Sequence, residues 1–410
     1  MSSPLRILIS AGEVSGDLYA AQLVRALMAA AGPPDSLEIK AVAGERTRQA
    51  GAALLAISSS RAALGFVAPL RHLGPALTTA LRIRHELTRW RPQVCVLLDY
   101  PGFNIPLSGI IRRVSAAPIL YYLPPEEWIW AAQGNRRLNR TARVVANCDC
   151  LLTTHGIDTA FYTAAGAKVR RVGHPLLELV DEEGLRQRDM ASDKANCVAL
   201  LPASRRQELG LLWPALARAA ALMARARPEL KFLVPLAAAH LRPELVWACA
   251  SAQRRHPELA GRLCLVEPTP EIPYPTLAVA WRAGAALSKS GSVSLELALA
   301  GVPHLVALRI DRMTEWVGRH FLKLSEQDFP HVALPNLILG RELVPEFKLH
   351  AIDPVRMAAT GLALLDPASS ARAAQLSGFD ELRTALGGAG AAARSARIIL
   401  EMAQGSASAA

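Results

Sequence analysis

Four short segments carry residue types and spacings that could do chemistry. The first is Gly12-Glu13-Val14-Ser15-Gly16-Asp17, between a strand-like run and a helical pattern. Two glycines permit tight turns, and a helix start exposes amide donors. Glu13 and Asp17 would repel a phosphate, so this is not a nucleotide fingerprint. Carboxylates in such a loop suit sugar hydroxyls; the plain alternative is a helix start capped by Ser15 or Asp17. The second segment is Asp99 in Leu98-Asp99-Tyr100-Pro101-Gly102-Phe103-Asn104, directly after an apolar strand. An Asp at a sheet's carboxyl edge can act as general base on a hydroxyl, or can simply cap the next helix. In the third, Ser204-Arg205-Arg206, Arg205 could fork onto a phosphate or belong to a surface Arg pair. The fourth is Ser288-Lys289-Ser290-Gly291-Ser292-Val293-Ser294-Leu295-Glu296. Its small-residue turn before a helix suits a diphosphate, and Glu296 could accept from ribose hydroxyls. The order Gly-Lys-Ser/Thr of a P-loop is absent, and an ordinary Ser-capped helix is the other reading. A plainer fifth region, Leu334–Glu342, holds Asn336 and an Arg341-Glu342 pair that spacing alone would place in a surface turn.

Short apolar runs alternating with helical patterns must position these residues. Strands are expected at Leu5–Ser10, Val94–Leu98 and Pro118–Leu123, with a helix over Leu18–Ala31. The polar stretch Glu178–Asn196 reads as a linker, after which the βα rhythm restarts. Strands follow at Cys197–Leu201, Leu230–Leu236, Ala283–Ser288 and His304–Leu308, with helices over Glu208–Ala226 and Val293–Ala300. The pattern predicts two doubly wound α/β halves. Ligands of such sheets lie beyond the carboxyl ends of strands, so a cleft between facing halves is the expected site. The expected domains are 1–185, 186–385, and a C-terminal helix with a frayed Ala/Ser-rich tail over 386–410.

Composition narrows the classes. The 410 residues are 51% hydrophobic and 20% charged, enough for large cores. No apolar run reaches the ~18–20 residues of a membrane span, and the start resembles no secretory signal. The six cysteines are scattered without zinc spacing and read as reduced core thiols of a cytoplasmic protein. The net charge of +11 suggests an anionic partner: nucleic acid, a phosphate-bearing ligand or a membrane surface. The surplus is uneven: residues 1–180 hold 20 Lys+Arg against 12 Asp+Glu, the rest 26 against 23. In the first half, Arg71, Arg82, Arg84, Arg89 and Arg91 lie near Leu64–Leu70. Arg136, Arg137, Arg140 and Arg143 lie near Tyr121, Tyr122, Trp128 and Trp130. Apolar groups beside basic ones suit an interface with anionic lipid, although a solvated helix face and core aromatics explain the same residues.

In order along the chain, further landmarks join these segments: Val172-Gly173-His174-Pro175-Leu176, Leu200-Leu201-Pro202-Ala203-Ser204-Arg205-Arg206-Gln207-Glu208, Leu334-Pro335-Asn336-Leu337 and Gly340-Arg341-Glu342. Together they resemble the lipid-A-disaccharide synthase family, in its cyanobacterial-like form, from about Arg6 to Leu365. The resemblance implies a GT-B type fold of two Rossmann-like domains facing a cleft. It implies an inverting transfer from UDP-2,3-diacylglucosamine to 2,3-diacylglucosamine 1-phosphate, giving the β-1,6 disaccharide 1-phosphate and UDP. On this resemblance Asp99 and Glu13 are catalytic, and Gly12, Ser15, Asp17 and Asn104 bind the acceptor. Ser204, Arg205, Ser290, Gly291, Ser292, Glu296, Asn336 and Arg341 bind the UDP-sugar. No metal or other cofactor and no nucleic acid are expected. The expected partners are the two lipid substrates and the anionic inner face of the cytoplasmic membrane, with a homodimer admitted. Gly102, Pro124 and Ala68 depart from the family pattern, as does Thr154-His155-Gly156-Ile157, all in the acceptor half. They keep open a related glycosyltransferase with a different lipid acceptor. A non-catalytic lipid- or nucleic-acid-binding protein is the contrasting class.

Overall fold

The computed structural model describes residues 4–32, 36–57, 73–128, 139–187, 194–311, 316 and 331–408. The chain divides into two compact units: the first runs to Pro175 and takes up again at Leu386, and the second is Leu176–Ala385.

The first unit holds strands β1 (Leu5–Ala11), β2 (Leu37–Ala43), β3 (Ala53–Ile57), β4 (Val94–Leu98), β5 (Ile119–Tyr122), β6 (Cys150–Thr153) and β7 (Val169–Arg171). They form one parallel sheet in the order β3-β2-β1-β4-β5-β6-β7. Its helices are α1 (Glu13–Ala30), α2 (Glu45–Gln49), α3 (Leu73–Arg89), α4 (Pro101–Val114), α5 (Thr141–Asn147) and α6 (Gly156–Ala164). The central strands are continuous apolar runs because helices cover both faces; all five residues of β4 are buried.

The second unit opens with α7 (Leu176–Gln187). Its strands are β8 (Cys197–Leu201), β9 (Lys231–Pro235), β10 (Leu263–Val266), β11 (Ala285–Lys289), β12 (His304–Leu308) and β13 (Glu346–Lys348). They form a parallel sheet in the order β10-β9-β8-β11-β12-β13. Helices α8 (Arg206–Ala226), α9 (Arg242–Arg255), α10 (Pro275–Arg282), α11 (Ser292–Leu299), α12 (Leu334–Leu339), α13 (Pro354–Leu365) and α14 (Ser370–Leu386) accompany it. By length and composition α8 could cross a membrane. Its Leu209, Leu212, Trp213, Leu216 and Met223 instead pack in the core with Phe232 and Leu287.

Two expectations change. The division falls at Pro175/Leu176, and Glu178–Gln187 is helix, not linker. Leu176, Leu177, Leu179 and Val180 give α7 a buried face, Trp281 Nε1 donates to Val180 O at 3.0 Å, and the Trp281 ring covers Gly184. Of the polar residues that suggested a linker, Asp181 and Glu182 lie on the helix's exposed face, while Glu183 and Gln187 are buried and bonded to each other at 2.7 Å. The C-terminal segment is also no separate tail. Helix α15 (Ala391–Ser408) returns to the first unit and packs on α1, β1 and β4. Ala392, Ala396, Ile399, Leu400 and Ala403 form its buried stripe. Arg394 fastens it, donating to Val172 O at 2.8 Å and to Gly388 O at 2.9 Å. A Cβ on Gly173 (φ 82°) would lie 2.9 Å from Arg394 Nη2, which accounts for the glycine of the Val172-Gly173-His174-Pro175 landmark.

Candidate active site

In the first unit the chemistry-bearing residues gather at the carboxyl edge of the sheet. Ala11 of β1 pairs with Leu98 of β4, so Gly12 and Asp99 leave the sheet side by side. Asp99 and Tyr100 both have left-handed backbones, φ 47° and 50°. For non-glycine residues this costs on the order of 1–3 kcal/mol each, so surrounding bonds must hold it. They do. The Asp99 N–H donates to Tyr122 O at 3.0 Å. The Asp99 carbonyl accepts from Tyr121 Oη at 2.8 Å and from Asn104 Nδ2 at 2.8 Å. Asp99 itself is half-buried. Tyr100 turns its ring onto Gly12, where a Cβ would meet Tyr100 Cγ at 2.2 Å. Gly12 is therefore needed for close approach, not for an unusual φ: its φ is −124°.

The Gly12–Asp17 loop is helix from Glu13 onward. Ser15 is half-buried in the first turn of α1, and the Glu13 side chain lies outside what the structure describes. Asp17 caps a different helix. Its carboxylate accepts from the amides of Gly44, Arg46 and Thr47 at 2.9, 3.1 and 3.0 Å and from Thr47 Oγ1 at 2.6 Å, fixing the start of α2. Four donors of the fold thus occupy this buried carboxylate. Asn104 is fully buried and also committed. Its Oδ1 accepts from Ser10 Oγ at 2.6 Å, and its Nδ2 faces the carbonyls of Ser10, Leu98 and Asp99. It clamps the ends of β1 and β4.

The aromatic and basic residues also sort. Tyr121 and Tyr122 are core residues, not a lipid-facing pair. Trp128 is half-buried and donates from Nε1 to Asp158 at 2.9 Å. On α3, Arg82, Arg84 and Arg89 are exposed, as are Leu77 and Leu81 at 63% and 55%. Leu64–Leu70, Arg71, Trp130, Arg136 and Arg137 lie outside the described residues.

The sequence reading missed a cluster of titratable groups past the neighbouring strands β5 and β6. His155 Nε2 and Asp158 Oδ2 are 3.0 Å apart, both buried. Burial disfavours the His155 cation, but the Asp158 hydrogen bond and the charges of Asp158 and Glu126 outweigh it and raise its pKa. Glu126 is pushed up to about 7, first by burial, then by Asp158 and Asp99. The signal available in the sequence was Pro124-Pro125-Glu126-Glu127, carboxylates at a strand's carboxyl end.

In the second unit, Leu201 of β8 pairs with Ser288 of β11, so the Ser204 loop and the Ser290 turn emerge together. Gly291 (φ 127°) starts α11 in a conformation that L side chains rarely adopt. Ser292 opens that helix; Glu296, in its second turn, is buried. Glu208 folds back from α8: Oε2 accepts from Ser204 N and Oγ at 2.8 and 3.2 Å. Its Oε1 pairs at 3.3 Å with both Arg205 and Lys289. Lys289 and Glu208 were not singled out as site residues from the sequence.

Two expected donor-side residues have partners within the fold. Asn336 is fully buried and internally saturated. Its Oδ1 accepts from Leu343 N and Val344 N, and its Nδ2 donates to Val344 O and Glu346 Oε1, all at 2.8 Å. It is a positioning residue. Glu346 Oε1 also accepts from Val332 N at 2.9 Å, and Val332 O accepts from Ser290 Oγ at 2.7 Å, so the network ends on the turn. Arg341 is exposed and ion-paired with Glu381 of α14, because Gly340 (φ 66°) turns the chain at the end of α12.

Solved structures share this fold. The S. aureus MnaA-UDP co-structure matches with a TM-score of 0.64 at 13% identity, covering 95% of this chain and 94% of that one. The UDP-GlcNAc 2-epimerase from Neisseria meningitidis bound to UDP-GlcNAc matches with a TM-score of 0.56 at 12% identity, covering 97% and 99%. The fold is thus the GT-B type of UDP-sugar enzymes, two parallel-sheet α/β units. A lipid-A-disaccharide synthetase family model matches residues 7–388. The lipid-A-disaccharide synthase of Prochlorococcus marinus is 36% identical over 97% of this chain and 99% of its own length. That of Synechocystis sp. is 32% identical over 98% of each. The chain belongs to the lipid-A-disaccharide synthetase family, and its activity is that of a UDP-sugar glycosyltransferase in lipid A disaccharide synthesis.

Proposed function

We propose that the donor is UDP-2,3-diacylglucosamine and the acceptor 2,3-diacylglucosamine 1-phosphate, joined with inversion into the β-1,6 disaccharide 1-phosphate. Asp99 takes the proton of the acceptor 6-hydroxyl as that oxygen attacks the anomeric carbon and the bond to UDP breaks. The observation that carries this reading is the Asp99 peptide, held in a strained conformation at the sheet edge by Tyr121 and Asn104. Strain held in place by buried bonds fits a side chain that must be aimed. Glu13 and Ser15, at the start of α1 beside it, orient acceptor hydroxyls. In the second unit Arg205 and the Ser290–Ser292 turn face the charge that grows on departing UDP, and Glu296 holds the ribose. Fixed cations and amides supply that stabilisation, so the reading uses no metal.

Both substrates carry acyl chains, which places the work at the inner face of the cytoplasmic membrane. The exposed Leu77 and Leu81 beside Arg82 and Arg84 support contact with anionic lipid. Incubation with both substrates should yield UDP and the acylated disaccharide. UDP release only with another lipid acceptor would replace the acceptor assignment. Asp99→Asn should abolish turnover while UDP still binds.

A further inference from the structure

Lys289 ends β11, and its ammonium folds back over the turn that follows. Nζ lies 3.3 Å from the point a Cβ would occupy on Gly291, and 3.3 Å from Glu208 Oε1. The Lys289 and Glu208 side chains are only 15% and 7% exposed. The same carboxylate neutralises Arg205, also at 3.3 Å. These contacts are longer than the ~2.7–2.9 Å of strong charge-assisted bonds. A diphosphate oxygen can offer shorter ones, and an ammonium has three N–H donors to give. Glu208 is anchored by Ser204, whereas a lysine ammonium sits on a flexible four-carbon stem that can re-aim it.

We propose that Lys289 is a second cation for the departing diphosphate and that Glu208 is its place-holder: Lys289 leaves Glu208 when the diphosphate fills the turn and returns as UDP departs. The inference rests on the second unit's turn being the diphosphate site. Without Glu208, two enclosed cations would repel each other in the empty site and grip the product too long. With it, one anion replaces another.

Isothermal titration of the full chain with UDP, UMP and uridine tests this. Lys289→Met should weaken UDP binding by about tenfold or more, UMP less and uridine not at all. Lys289→Arg should recover most of the loss. Glu208→Gln keeps an oxygen for Ser204 and should tighten UDP several-fold while lowering kcat at saturating donor. Equal losses for UDP and uridine in Lys289→Met, or no loss, would overturn the contact. Unchanged or weaker UDP binding in Glu208→Gln would overturn the place-holder. If the unaltered chain bound no UDP, the donor reading itself would fall, an outcome distinct from either of these.

Discussion

Asn104 Nδ2 donates to the Asp99 carbonyl at 2.8 Å, across two consecutive left-handed residues. The bond makes a buried amide of α4 the support for the residue that follows β4 at the sheet edge and that we propose as the general base. Asn104→Ala strands Ser10 Oγ and frees the Asp99 peptide. It should cost about 2–3 kcal/mol in urea unfolding, from several lost buried hydrogen bonds. It should lower kcat well beyond its effect on UDP affinity. Full kcat with reduced stability would show that Asp99 needs no such support.

Asp17 provides a contrast. Asp17→Asn converts an acceptor-only group into one that presents N–H groups to amide donors of α2. A loss of about 1–3 kcal/mol is expected, read as a lower urea midpoint, with KM for both substrates unchanged. A raised acceptor KM at unchanged stability would restore Asp17 as a ligand.

Asn336 and Arg341 were indistinguishable as candidate ligands in the sequence and separate in the structure. Arg341→Ala removes an exposed ion pair and should change stability by under about 1 kcal/mol, with UDP binding intact. Asn336→Ala empties a four-bond network ending on Ser290 and should weaken both folding and UDP binding. Calorimetric Tm and UDP titration on the two variants check the difference.

Stability should depend on pH through groups of opposite sign. Glu126 titrates near 7 when folded against 4.5 as an ordinary glutamate. Between those values the folded chain holds a proton that the unfolded chain has lost, so this group's stabilisation falls as pH rises. Burial lowers His174 to about 3 and His304 to about 4, from 6.5. Below 6.5 the unfolded chain binds protons that the folded chain refuses, so their stabilisation falls as pH drops. Glu126→Gln should raise the urea midpoint increasingly from pH 5 to 8 while leaving the acid-side loss. Parallel curves for the two proteins would show that Glu126 titrates normally.

The βα alternation and the places of β1, β4, β8, β11 and β12 were legible because buried parallel strands are apolar runs that stop at marked turns. The edge strands were not: β7, β10 and β13 have only three or four residues and β3 has none fully buried, so they are recognised only by pairing with a neighbour. Asp99, Arg205 and the Gly291 turn were legible as chemistry because each follows a strand. Ordered motifs over most of the chain carried the family, which no single segment could.

The sequence by itself determined which residue types stand at the strand ends, and hence the two-sheet plan and the family. Only the tertiary structure decided which of them keep a free task. Asp17, Asn104 and Asn336 have the right chemistry for ligands, but groups of the folded chain take up their hydrogen bonds: α2 amides for Asp17, the end of β1 for Asn104, and the segment after α12 for Asn336. Glu208 and Lys289, 81 positions apart, meet only when β8 and β11 lie side by side. A polar side chain's partner is set by what burial brings within about 3 Å, and that distance is a property of the folded chain.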